Sequence, residues 1–210
     1  MAMRQLVVLG GGGNAKDALD TIQQGFEVVA FIDDDVTKQN TFLQNIPVLP
    51  RTALADFPDA QVVSLIGSEK TFAFRDRLID DFGVEAGRFA TIIHPSASVS
   101  KYASIGHDVV IFAGVSIPSN AKIGNHVFIL PNTVIHHDTI VEDYAVIGSG
   151  VVIAGHVRIG RNSFIGSGSS IKNDVDIGDY SLVGMAANVI RNCEPRSVLV
   201  GNPARAHRGS

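Results

Sequence analysis

From residue 93 onward every sixth residue is Ile or Val. The run goes Ile93, Val99, Ile105, Ile111 and on, without insertion, to Ile177, Val183 and Val189, seventeen positions in all. Helices repeat at 3.6 residues and strands at two, so neither explains a lock at six. A short strand followed by a corner does. The residue four places after each lead is also restricted, to Ala, Val, Thr, Ser or Cys (Ala97, Val109, Thr133, Ser163, Cys193). It precedes the next lead by two, so both point into a common interior. The second position is often glycine (Gly106, Gly124, Gly148, Gly160, Gly166, Gly178, Gly184), where it is expected to supply unusual corner dihedrals. Stacked turn on turn, such hexads form a β-solenoid around a column of Ile and Val.

Before residue 90 the pattern is different. Leu6–Leu9 reads as a short buried strand, followed by four glycines and a helix from about Asn14 to Gln24. A second strand, Phe26–Ile32, ends in Asp33, Asp34 and Asp35. A third, Val62–Ile66, is followed by Ser68 as N-cap of a helix running to about Phe82. Strand-helix-strand alternation predicts a small parallel sheet with both faces covered. The expected organisation is an α/β, Rossmann-like domain over 1–90, a parallel β-helix over 91–194 and a tail over 195–210.

Gly10–Ala15 contains G-x-G-x-x-A between a strand and a helix, where glycine lets backbone amides approach a phosphate. Asp33 lies about 20 residues on, where a ribose-binding acid would sit. Alone this pattern suggests NAD, but about 90 residues cannot hold a second mononucleotide half. Its bland alternative is a glycine turn that only packs helix on strand.

Composition removes other classes. A net charge of −4 and a pI near 5.9 argue against a nucleic-acid platform or an anionic membrane surface. One cysteine, Cys193, precludes an internal disulfide framework and fits a reducing, cytoplasmic setting. No apolar run reaches the roughly 18 residues of a membrane helix, and Met1–Leu6 has no signal-peptide pattern.

The hexads, together with GGGGNAK, FIDDD, VIHHDTI, AGHVRIG and GNPAR, resemble the hexapeptide-repeat sugar acetyltransferases. The likeness is to the sialic-acid O-acetyltransferase and bacillosamine or perosamine N-acetyltransferase type, and it covers essentially the whole chain. It implies a left-handed β-helix with three hexads per coil, so residues 18 apart stack on adjacent rungs. The prism would stand about 27 Å tall at the usual strand spacing. It implies acetyl-CoA as co-substrate, no metal, a nucleotide-linked amino sugar as acceptor, and a homotrimer with active sites between subunits. His137 becomes the general base and Asp138 its acidic support. Gly155 is the residue whose amide meets the acetyl carbonyl, and Cys193 is a core residue rather than a nucleophile. Val146, Ser167, Gly184 and Arg205 are the further candidates for CoA. Gly12, Gly13, Asn14, Asp33, Asp34, Gly67 and Ser68 are those for the nucleotide. Relatives carry histidine at the positions of Val146 and Asn14, which leaves the substrate assignment less defined than the reaction class.

On that register His137 is the third residue of its hexad, on a corner and pointing outward, with Gly155 one rung on, about 5 Å away. A base beside an outward amide suits acyl transfer: one takes the nucleophile's proton, the other steadies the thioester oxygen. An ordinary imidazole is mostly neutral near pH 7. Structural roles compete throughout. His136 reads equally as a solvated corner residue, Asp138 and His156 as a stacked ladder pair, and Arg205 as plain surface. His107 and His126 read as isolated surface residues, His94 as a junction cap and Arg75 as a solvated face. Outward apolar residues (Val110, Phe112, Phe128, Leu130, Val146, Val152) suggest a subunit contact. Competing functions are O-acetylation of a sialic-acid-like sugar, a three-histidine zinc hydratase and a non-catalytic sugar-nucleotide scaffold. The expected setting for the leading function is bacterial surface-glycan synthesis.

Overall fold

The computed structural model describes residues 3–207. Met1 and Ala2, at the start of the stretch scanned for a signal peptide, lie outside them. The N-terminal part is a five-stranded sheet. Its strands are β1 (Arg4–Leu9), β2 (Phe26–Ile32), β3 (Thr41–Leu43), β4 (Ile46–Leu49) and β5 (Gln61–Ser64), in the order β3-β4-β2-β1-β5. Helix α1 (Gly13–Ile22) joins β1 to β2 and buries Ala15, Ala18, Leu19 and Ile22, the one-faced spacing of an amphipathic helix. Strand β1 is buried on both sides. Leu6 and Val8 pack in one cluster with α1, whereas Val7 and Leu9 pack in another with Leu54 and Ile79.

Two features depart from the sequence expectation. The sheet is mixed, because β3 runs antiparallel to β4 as a hairpin edge. Gln44 and Asn45, between these strands, both have positive φ (50° and 65°), the backbone of a type I′ hairpin turn. The helix expected from Ser68 to Phe82 is also shorter. After a turn at Ser68–Thr71 and a 3₁₀ segment at Phe72–Phe74, only α2 (Arg75–Asp80) is α-helical.

The remainder is a three-sided prism of two-residue strands. Pairing runs at a spacing of 18 up to Val189, as in Val110↔Phe128↔Val146↔Phe164 and Val134↔Val152. Face 1 holds the strands from Ile92–Ile93 to Leu182–Val183, face 2 those from Ser98–Val99 to Asn188–Val189. Face 3 holds Ser104–Ile105 to Asp176–Ile177. Lead residues from Ile111 to Val189 form the core with fifth-position residues such as Val109, Ala121 and Val157. Cys193 packs against this core, partly buried. Ile93, on the first rung, is exposed because no coil lies beneath it. The tail continues the prism. Val198–Val200 pairs in parallel with Leu182–Val183, and Arg205–Ala206 pairs antiparallel to Val198–Val200.

The corner dihedrals fall elsewhere than expected. Positive φ belongs to the fourth position, at Asp108, Asn120, His126, Asn132, Asp138, Tyr144, His156 and Asn162. These are mainly the short polar types that tolerate it best. The second-position glycines serve close approach instead. A Cβ at Gly148 would stand 2.5 Å from the Ser167 backbone nitrogen, and one at Gly166 would stand 2.6 Å from that of Met185.

The outward apolar row on face 1 is covered within the chain. Val110, Phe112, Phe128 and Val146 are buried in one cluster with Leu6, Val8, Ala15 and Ile22 of the N-terminal part. They make the joint between the two parts of the chain, which corrects their expected role as a subunit contact. Val152, on face 2, remains exposed.

Candidate active site

His137 lies on the corner between faces 2 and 3, its side chain 55% exposed. Its Nδ1 is 2.8 Å from Asp138 Oδ2, and Asp138 Oδ1 accepts Asn120 Nδ2–H at 3.2 Å. With Nδ1–H donating to a carboxylate, the free nitrogen is Nε2, a lone-pair acceptor. The hydrogen bond from His137, then that from Asn120, holds the Asp138 carboxyl below its ordinary pKa. It therefore stays charged as a partner for the ring.

The imidazole packs over Gly155 on the next rung. A Cβ there would fall 2.8 Å from His137 Cε1 and 3.0 Å from Nε2, so a side chain at this position would push the ring off the Gly155 backbone. His156 N donates to His137 O at 3.2 Å, which fixes the two rungs in register. Some third-position amides are capped by a side chain one rung on: Asn125 N–H by Asp143, Ser149 N–H by Ser167, Arg161 N–H by Asp179. Gly155 N–H has no protein acceptor among the described residues. A lone-pair nitrogen and an unused amide thus adjoin on one solvent-facing corner. His156 completes the cluster, its ring 5.2 Å from that of His137 and its Nε2 4.0 Å from Asp138 Oδ2. The carboxylate therefore serves the His137 ring and the ladder pair together. Asn120, which the sequence reading did not single out, sits 18 residues before Asp138, where rung arithmetic would have found it.

The nucleotide candidates meet in one cavity of about 630 Å³, lined by Gly12, Gly13, Asn14, Asp33, Asp34, Gly67 and Ser68. It opens where β1 has neighbours on either side, at the carboxyl ends of the strands, the usual ligand crevice of such sheets. Asn14 Nδ2 donates to Gly67 O at 2.9 Å and ties the first glycine loop to the loop after β5. Asp33 is committed to holding the loop. It accepts Gly11 N–H at 2.8 Å and Asp35 N–H at 2.9 Å, and pairs with Lys38 at 3.0 Å. Asp34 pairs with Arg51 and is half exposed. Phe128, Leu130, Val146 and Phe164 of face 1 form the far wall.

Apart from Gly155, the cofactor candidates do not gather around His137. Val146 is 2% exposed and belongs to the joint and the cavity wall, on the face across the prism from the His137 edge. Ser167 and Gly184 lie on the corner between faces 1 and 2, where Ser167 Oγ accepts Ser149 N–H. Arg205 is exposed on the C-terminal hairpin.

Two expectations are reversed at the corner between faces 3 and 1. His126 is 6% exposed, its Nδ1 2.8 Å from fully buried Asp108, and it stacks on Tyr144 at 4.5 Å. His107 packs edge-on against it at 4.8 Å. Neither is an isolated surface residue, because the N-terminal part covers this corner through Phe89. Arg75 is fully buried rather than solvated.

Comparison with known proteins extends along the whole chain. The family described as the PglD N-terminal domain matches residues 5–81, and that described as the GMPPB C-terminal domain matches residues 89–183. No curated protein matches in sequence. PerB from Caulobacter crescentus, solved with CoA and GDP-perosamine, is 28% identical over 99% of both chains, with a TM-score of 0.86. WeeI from Acinetobacter baumannii AYE is 25% identical over 98% of this chain and 100% of its own, with a TM-score of 0.84. The acetyltransferase domain of PglB from Neisseria gonorrhoeae FA1090, solved with acetyl coenzyme A, shares the fold. It is 21% identical over 98% of this chain and 100% of that one, with a TM-score of 0.85. A PglD-type N-terminal domain on a left-handed β-helix, with these full-length likenesses, makes the chain similar throughout to sugar N-acetyltransferases of the hexapeptide-repeat type.

Proposed function

We propose that the chain transfers the acetyl group of acetyl-CoA to the amine of a nucleotide-linked amino sugar, with His137 as general base. The observation that carries this reading is the His137 imidazole, held by Asp138 through Nδ1 and lying over Gly155, whose amide has no acceptor among the described residues. The sugar amine attacks the thioester carbonyl, and His137 Nε2 takes its proton. Gly155 N–H stabilises the oxygen that becomes negative. Collapse breaks the carbon–sulfur bond, and the departing thiolate receives the proton from the imidazolium. No acyl-enzyme forms, so no nucleophilic side chain is required.

The acceptor binds through its nucleoside diphosphate in the cavity of Gly12, Gly13, Asn14 and Ser68. That cavity lies over face 1, whereas His137 occupies the prism edge opposite face 1. One chain therefore cannot bring the two together. The complete site forms between copies in a homotrimer, the cavity of one chain facing His137 of another. Ser167, Gly184 and Arg205 are then the CoA contacts to test. The proposed setting is the cytoplasmic stage of bacterial surface-glycan synthesis.

The test is CoA release from acetyl-CoA with GDP-, UDP- and dTDP-linked amino sugars and with free sialic acids. Turnover on one of the nucleotide amino sugars, lost in His137→Ala, supports the reading. Turnover only on free sialic acids would replace it by O-acetylation. Binding without turnover would leave a scaffold.

A further inference from the structure

The loop that carries Gly67 and Ser68 into the cavity is tied to the β-helix by a closed run of buried polar groups. Asp108 stands at its centre, on a prism corner. Its Oδ1 accepts the Ser64 backbone N–H at 2.7 Å, at the end of β5, and its Oδ2 faces His126 Nδ1 at 2.8 Å. The His126 carbonyl oxygen in turn accepts a hydrogen from Arg75 Nη1, and Arg75 Nε donates to the carbonyl of Ile66. The run starts at Ser64 and returns two residues later at Ile66, having crossed to the prism and back.

Arg75 is entirely buried, its guanidinium 4.9 Å from the Phe128 ring centroid. A Cβ at Gly67 would fall 2.9 Å from Arg75 Nε and 3.0 Å from Phe128 Cε1, so the loop rests directly on this side chain. Gly67 has φ +155°, a backbone that L side chains rarely adopt. The loop is therefore shaped from below, by what it sits on.

We infer that Arg75 is a positioning residue for the nucleotide cavity, holding the Gly67–Ser68 arm at its working distance from the first glycine loop by bracing it against the β-helix corner at His126. The inference rests on the proposed nucleotide-sugar substrate. Arg75 does not line the cavity and touches no substrate. Only a planar fork with separated N–H groups can reach the Ile66 and His126 carbonyls together, whereas an ammonium offers one point of charge. Nothing in the run reaches the His137 corner, so its loss acts on acceptor binding and leaves the chemical step alone.

The experiment compares the full chain with Arg75→Lys, measuring KM for the nucleotide amino sugar, KM for acetyl-CoA and kcat. Calorimetric binding of the nucleotide sugar without acetyl-CoA is measured alongside. A tenfold or larger rise in KM and Kd for the nucleotide sugar is expected, with KM for acetyl-CoA and kcat within about twofold. A folded Arg75→Lys protein that binds the nucleotide sugar like the parent overturns the inference, as does a parallel rise in both KM values, which would mark general loosening. Where Arg75→Lys does not fold, His126→Asn and His126→Leu take its place. An amide can mimic the Nδ1–H donor to Asp108, so Asn is expected to keep KM and Leu to raise it. Equal KM values in the two variants overturn the inference. If the parent chain binds none of the nucleotide sugars, the proposed function itself fails, and the calorimetry separates that result from the others.

Discussion

Two corners of the prism carry the same pair in the same register and use it in opposite ways. Asp108 and His126 are 18 residues apart at fourth positions, and so are Asp138 and His156. At the first corner the N-terminal part covers the pair. Asp108 is fully buried, and His126 stacks on Tyr144 and meets Phe89 edge-on. At the second the pair faces solvent, and His137 comes between its members, taking the carboxylate at 2.8 Å while His156 stands 4.0 Å from it. Asp108 is pushed above its ordinary pKa, chiefly by burial. Asp138 is pulled below its own, chiefly by the His137 hydrogen bond. The spacing creates the pair; what covers it decides whether it braces the molecule or remains available for chemistry.

The strongest attack on this contrast is His137→Ala. It should lower kcat by roughly 10²–10⁴, the usual worth of a positioned general base. Thermal stability and nucleotide binding should stay unchanged. At the covered corner, Asp108→Ala strands the Ser64 amide and the His126 ring. It should cost about 1–3 kcal/mol for each buried donor left without its acceptor, read by denaturant unfolding. Asp138→Ala, by contrast, should leave the unfolding midpoint in place and slow turnover. Equal midpoint losses for these two substitutions would erase the distinction between the corners. Gly155→Val should lower turnover by about 10²-fold by driving the ring off the amide, with the prism intact by circular dichroism.

The smallest effect is one of pH. His107 is held below its ordinary pKa, chiefly by burial and then by the adjacent His126. The unfolded chain therefore takes up its proton first as pH falls. The contribution is complete above the unfolded value of about 6.5 and is lost as pH drops through it toward the folded value. The midpoint should decline slightly between pH 7.5 and 5.5, and His107→Gln should flatten that decline.

The solenoid was legible because its period admits no other fold, and rung arithmetic carried His137 to Gly155 before any coordinates. The seven nucleotide candidates likewise reach one cavity, since strand ends next to glycine loops converge in such sheets. Three things were hidden. The β3–β4 hairpin sits in a stretch whose turn signal, Gln44–Asn45, lacks the usual glycine. The second-position glycines looked like dihedral devices, because a linear reading shows the flexibility of glycine and not the backbone stacked over it. The burial of Arg75 and His126 was invisible for a different reason. It depends on how the two parts of the chain dock, and a periodic pattern describes each coil but says nothing of what leans on it.

The antiparallel strand Arg205–Ala206 has a consequence for assembly along the prism axis. A stack of parallel rungs ends in open backbone groups that invite another coil, and with it filament growth from chain to chain. Here the last strand of face 1, Val198–Val200, is met by one running the opposite way, with an exposed arginine upon it. The face-1 edge ends in a two-residue strand of reversed polarity that carries an exposed arginine, which blunts it as a template for rung addition.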